Sequence, residues 1–198
     1  MITISTISEG LTAKIRESIP TTDEKAEIIE YGIYMIISEF TKIAAILIIS
    51  ALLGITLYSL IAILAFGFLR SFAGGVHAKS HWGCFISYCI IIFGAISISL
   101  LLKDVSRIVQ AAVLYPIDFF FLYLYSPADV INKPVISKKQ RKQLRTGSFI
   151  LLTLMFLFYL FLVPQPYANA IAWACTLECL TLLPIVYKVT GNKYGTEK

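Results

Sequence analysis

Residues 43–69 run for 27 positions without a charged side chain. A helix needs about 20 apolar residues to cross the hydrocarbon core of a bilayer, and a chain in that solvent must satisfy its backbone amides internally. Further apolar blocks fall at about 84–102, 108–126, 148–163 and 167–187. Charged residues are 15% of the 198, against about 25% in ordinary soluble domains, and apolar residues are 58%. Once the blocks are set aside, no stretch is long enough to bury a core in water. The expectation is an all-α, polytopic integral membrane protein, a single membrane-embedded domain over 1–198. It would have about six apolar helices making four to six crossings. The net charge of +5 does not point to nucleic acid, because outside one cluster near residue 140 no basic run is interleaved with aromatics. No Gly-rich phosphate loop follows a strand signal and no repeat is present, so no cofactor is expected.

Residues 1–30 form an amphipathic N-terminal segment: Ile4, Ile7, Leu11, Ile15 and Ile19 recur every three or four positions, with Lys14, Arg16 and Glu17 between them. This predicts a helix lying on the membrane surface. The segment is polar and mixed in charge, so no cleavable signal peptide is expected, and the C-terminus carries no prenylation signal. Pro20-Thr21-Thr22-Asp23 breaks the helix and caps a second one whose first turn is acidic. With residues 31–42 added, the first apolar block is long enough for a hairpin bending near Gly54. The basic loop 133–146 decides the topology, because Lys and Arg gather on the cytoplasmic side. Placing it inside sends 148–163 outward and returns 167–187. Counting backwards, an even number of passes must precede Arg70 if the N-terminus is also inside, which favours the hairpin.

The densest run of unusual residues is 70–84, which holds Arg70, Gly74-Gly75, both histidines (His77 and His81) and Cys84. Paired glycines allow a sharp turn at a helix end. A histidine and a cysteine just beyond it, at the membrane boundary, suit nucleophilic acyl transfer, since imidazole can draw off a thiol proton. On a straight helix His77 and Cys84 share a face but stand about 10.5 Å apart along the axis. His81, three residues from Cys84, is closer, so spacing slightly prefers it as the base; a loop folding back would admit His77 equally. Two readings of other classes remain. His77, His81 and Cys84 at i, i+4 and i+7 could hold a metal. A small peptide transporter would instead put paired charges or broken helices at mid-membrane. Cys89, Cys175 and Cys179 read as small apolar fillers, with no disulfide framework. Asp118 and Glu178 lie deep in apolar segments, where acids are costly. Asp118 reads first as hydrogen-bonded packing between helices.

The pattern Arg70, Gly74-Gly75, His77-Ala78, Ser80 and Cys84 resembles the signature of the accessory gene regulator B (AgrB) family, membrane cysteine peptidases that process quorum-sensing propeptides. Ser126-Pro127-Ala128-Asp129, then Asn132-Lys133-Pro134 and a basic run, is similar to that family's central loop. Glu178 with Thr181-Leu182-Leu183-Pro184-Ile185 resembles its last helix. The resemblance implies Cys84 as nucleophile and His77 as base, with no metal and no cofactor. It implies a thioester on Cys84 after the C-terminal tail of a short AgrD-like precursor departs, and ring closure to a thiolactone or lactone. Arg70, Ser80 and a backbone N–H near Cys84 are candidate oxyanion donors, with Gly74, Gly75 and Glu178 in support. Lys133, Lys138, Lys139, Arg141, Lys142 and Arg145 are candidates for docking an acidic tail, beyond their topological role. The setting implied is a multi-pass protein of the bacterial plasma membrane, surrounded by lipid, with both termini and the active site cytoplasmic. The family also suggests a homodimer.

Overall fold

The computed structural model describes residues 4–19, 21–76, 81–129, 135 and 137–193, with the side chain of His81 excepted. Among these, eight α-helices follow one another: α1 (Ile4–Ser18), α2 (Asp23–Leu52), α3 (Thr56–Ala73), α4 (His81–Leu101), α5 (Arg107–Tyr125), α6 (Lys138–Leu157), α7 (Tyr167–Thr181) and α8 (Pro184–Val189). Five segments are long and apolar enough to cross a membrane: α2, α3, residues 82–101 of α4, α5, and α6 with the π-helical turn Phe158–Leu162 that continues it. The all-α, polytopic expectation therefore holds, with α7 as the sixth apolar helix.

Residues 1–49 and 50–198 form two compact units, the boundary falling inside α2. In the first, α1 has the predicted period, and its burial pattern is the reverse of that of a water-soluble helix. Ser8 and Thr12 are buried while Ile7 and Leu11 are exposed, as suits a helix whose apolar stripe meets lipid. Thr12 Oγ1 donates to the Ser8 carbonyl, and Arg16 pairs with Asp23 at 2.5 Å. Asp23 and Glu24 in the first turn of α2 complement its dipole.

The second unit opens on a helix break where the bend was predicted. Gly54 adopts φ +70° between α2 and α3, and the Ser50 and Ser59 hydroxyls share a hydrogen bond of 2.5 Å across the bend. At the centre stands α7, packed against α3, α4 and α5. Its residues are buried on nearly every side, among them Ala168, Ala170, Ala172 and Ala174. Small side chains let neighbouring backbones approach, which in lipid replaces the hydrophobic drive as the source of packing energy. Fifteen residues make a helix of about 22 Å, shorter than the hydrocarbon core. The expected single crossing over 167–187 is thus divided: α7 stops at Thr181 and α8 starts with Pro184 in its first turn, where proline is tolerated. A second correction concerns 133–146, expected as a loop. Residues 138–145 are the first two turns of α6, with Ser137 Oγ accepting from the Gln140 N–H as its cap. Lys, Gln and Arg are good helix formers, and their charges do not require a loop.

Polar side chains collect at the two ends of this bundle. At one end Arg107 donates to the Leu160 and Val163 carbonyls at 2.9 and 3.0 Å, groups that the π turn leaves unpaired, and the Tyr159 hydroxyl returns a bond to the Arg107 carbonyl. Asn169 and Gln110 both donate to the Leu102 carbonyl, and Ser99 donates to that of Pro166. Asp118 accepts from Thr176 at 3.0 Å, joining α5 to α7 as expected of a packing acid. Replacing Arg107 with Ala should cost about 1–2 kcal/mol. The checks are a lower unfolding temperature in micelles and faster amide exchange confined to 158–169; unchanged exchange there would show that solvent caps the turn equally well.

Candidate active site

The other end gathers the C-terminal ends of α3, α5 and α7. Helix α3 ends at Ala73, and Gly74 caps it at φ +82°, its N–H bonding the Arg70 carbonyl at 3.0 Å. The chain then runs beside residues 126–129, which follow α5. Ala128 N–H donates to the Ala73 carbonyl and Gly75 N–H to the Ala128 carbonyl, both at 2.8 Å, making a parallel bridge between Gly74 and Ala128. Neither glycine admits a side chain. A Cβ on Gly74 would stand 2.3 Å from the Ala128 carbonyl oxygen. One on Gly75, at φ +121°, would stand 2.7 Å from Thr181 Oγ1 and 2.9 Å from Arg70 Nη1.

Arg70, in the last turn of α3, braces this turn. Its Nη1 donates to Glu178 Oε2 at 3.1 Å and to Thr181 Oγ1 at 3.3 Å, and its Nη2 donates to the Val76 carbonyl. The guanidinium also lies over the Phe66 ring, 5.4 Å from its centroid. Glu178 is fully buried, and its Oε1 has no hydrogen-bond partner among the described residues. Arg70 thus holds the backbone here with three of the five N–H groups of its guanidinium.

Cys84 lies half-buried in α4, three residues after His81, the first described residue of that helix. Cys175 and Cys179, by contrast, are buried within α7, Cys89 is half-buried in α4, and no disulfide joins any of the four. His77 and Ser80 lie outside the described residues, as does Lys133. No three His, Cys, Asp or Glu side chains are grouped as metal ligands among the described residues.

The basic docking candidates divide. Arg141 donates to Asp129 Oδ2 at 2.9 Å and to the Val135 carbonyl, and Asp129 also accepts from the Val135 N–H. Arg145 reaches the Tyr123 carbonyl at 2.6 Å and lies over the Tyr123 ring. Arg141 thus holds the segment after α5 and Arg145 the last turn of α5, whereas Lys138, Lys139 and Lys142 are exposed. Sequence reasoning did not find Ala128, Thr181 as a partner of Arg70, or the Asp129–Arg141 pair. For the last there was a signal: an isolated acid nine residues before a basic helix start.

The family profile described as accessory gene regulator B matches residues 8–182, which include every element of this arrangement. The chain belongs to the accessory gene regulator B family. Its relatives include accessory gene regulator protein B of Staphylococcus lugdunensis, 30% identical over 80% of this chain and 82% of that one. The protein of the same name from Staphylococcus aureus (strain MW2) is 28% identical over 80% and 83%. An AgrB-like protein of Clostridium perfringens (strain 13) is 26% identical over 90% and 91%. No solved structure gives a significant match.

The two strained glycines separate strain from crowding. Gly54 and Gly74 have similar φ, but nothing lies within 4 Å of a Cβ built on Gly54. Gly54→Ala should cost about 1–2 kcal/mol from backbone strain alone. Gly74→Ala should cost about 2–5 kcal/mol, since the Ala128 backbone must also move. Thermal unfolding of the two variants in micelles is the measurement, and equal losses would mean that the close approach to Ala128 imposes nothing.

Proposed function

We propose that this accessory gene regulator B chain is a membrane cysteine endopeptidase that removes the C-terminal tail of a short autoinducer propeptide for quorum sensing. The observation that carries the reading is the position of Cys84. It stands half-buried in α4, eight residues after Val76 and beyond a turn that two glycines, Arg70 and Ala128 hold in place. Val76 immediately precedes His77 in the sequence.

In this reaction His77 takes the thiol proton of Cys84, and the thiolate Sγ attacks the carbonyl carbon of the scissile peptide. The tetrahedral oxyanion is met by a donor from the set of Ser80, Arg70 and the backbone near Cys84. As the C–N bond breaks, His77 gives its proton to the leaving amine, and the tail departs with a new N-terminus. The acyl group stays on Cys84 as a thioester. A cysteine or serine side chain within the precursor then attacks that thioester, forming a cyclic thiolactone or lactone and returning the thiol. Exchange of thioester for thiolactone needs little driving force, and exclusion of water protects the intermediate from hydrolysis. The substrate is an AgrD-like peptide and the setting the plasma membrane. Both termini and the site face the cytoplasm, the basic start of α6 being the positive-inside signal. A homodimer belongs to the same reading.

Cleavage of a propeptide by purified protein in micelles should fall at least about 100-fold in Cys84→Ala and in His77→Ala. Wild-type Cys84 should be alkylated at neutral pH faster than Cys89, Cys175 or Cys179, and His77→Ala, not His81→Ala, should remove the difference. Turnover that survives Cys84→Ala would revive the transporter reading; protection of Cys84 that a chelator relieves would revive the metal one. Replacing Lys138, Lys139 and Lys142 together with Ala should raise KM for a propeptide with an acidic tail and flatten its salt dependence while leaving kcat within about twofold, because exposed charges act mainly on encounter. An unchanged KM would leave these lysines a topological role alone.

A further inference from the structure

The pair formed by Arg70 and Glu178 is costly for what it holds together. Glu178 has no exposed surface and the Arg70 side chain is 19% exposed. Burying such charges costs several kcal/mol per ion, and well-packed apolar residues often hold two helices equally well. Packing of α3 on α7 therefore does not explain it. The geometry of the guanidinium does. Its two terminal nitrogens are fixed relative to each other in one plane. Glu178 Oε2 and Thr181 Oγ1 hold Nη1, and that constraint aims Nη2 at the Val76 carbonyl. Thr181 is itself set by a 2.8 Å bond to the Glu178 carbonyl and a 3.3 Å bond to Oε2.

The other carboxylate oxygen faces the same turn. A Cβ on Gly75 would stand 3.3 Å from Glu178 Oε1, an oxygen with no partner among the described residues and no access to solvent. Glu178 thus pairs with Arg70 through one carboxylate oxygen, while the other lies against Gly75. The opposite side of the turn is occupied by the Ala128 bridge.

We propose that Glu178 is a positioning residue of the reaction: acting through Arg70 and Thr181, it fixes the backbone at Gly75 and Val76, from which the chain continues to the general base. The inference rests on the cysteine peptidase reading given above. Glu178 touches neither the nucleophile nor the scissile bond. Its effect is on the fraction of molecules in which the acyl-transfer geometry is met, and it therefore appears in kcat.

The test compares Glu178→Gln, Glu178→Asp, Arg70→Lys and Thr181→Val in the full chain, in micelles. Each is measured for unfolding temperature, for propeptide cleavage and for the rate of Cys84 alkylation against pH. Glu178→Gln keeps an acceptor but loses the charge, and Arg70→Lys keeps the charge but loses the second donor. Both should lower kcat about 10- to 100-fold with KM within about twofold, the scale expected when a reacting group is misplaced by about 1 Å. Both should also move the Cys84 alkylation profile toward that of His77→Ala. Glu178→Asp, which keeps charge and one acceptor on a shorter arm, should recover part of kcat. A lower unfolding temperature with an unchanged alkylation profile and unchanged kcat in the folded fraction would overturn the proposal and leave Glu178 a structural residue. If His77→Ala leaves the alkylation profile unmoved, the dyad itself fails. If His77→Ala moves it and Glu178→Gln does not, only the positioning role fails.

Discussion

A polar group inside this bundle has no bulk water to turn to, and the fold is organised around that constraint. The polar side chains of residues 50–198 concentrate at two levels, one where α4, α6 and α7 meet the start of α5, the other where α3, α5 and α7 end. At the first level arginine, asparagine and glutamine side chains answer carbonyls that a π turn and helix ends leave open. At the second, an arginine, a buried acid and a threonine answer one another and the backbone of a glycine turn. Between them Asp118 with Thr176 ties α5 to the middle of α7. The central helix can be short and rich in alanine because its neighbours shield it on nearly every side.

The four cysteines differ in setting: Cys84 and Cys89 are half-buried in α4, whereas Cys175 and Cys179 are buried within the central helix α7. Lys138, Lys139 and Lys142 start α6 as exposed cations, while Arg141 and Arg145 are spent on Asp129 and Tyr123. A basic segment that looks uniform in sequence thus has two kinds of member.

Much of the fold was legible before the structure. The break at Gly54 followed from the length of the first apolar block, and the second helix start followed from an acidic first turn, because both signals are local. The start of α6 was misplaced by about ten residues, since Lys and Arg read as a topological signal while their helix propensity went unused. The division at Thr181 and Pro184 was missed although proline marked it, because length favoured one full crossing. The site was legible as a list of residues and not as an arrangement. Arg70 and Glu178 are 108 positions apart, and nothing in a hydropathy pattern pairs them. The glycines announced a turn, but the Ala128 backbone that excludes a side chain at Gly74 comes from another part of the chain. The spacing argument over His77 and His81 met a described helix that begins only at His81, with His77 outside the described residues.

The bridge between Gly74 and Ala128 is made of backbone atoms only: two amides, two carbonyls and the hydrogen that glycine has in place of a Cβ. The segment after α5 therefore supports the turn through its main-chain path, while its side chains are engaged elsewhere, Asp129 with Arg141 and Ser126 with Ser148. A substitution at Asp129 would reach Gly74 through main-chain atoms alone.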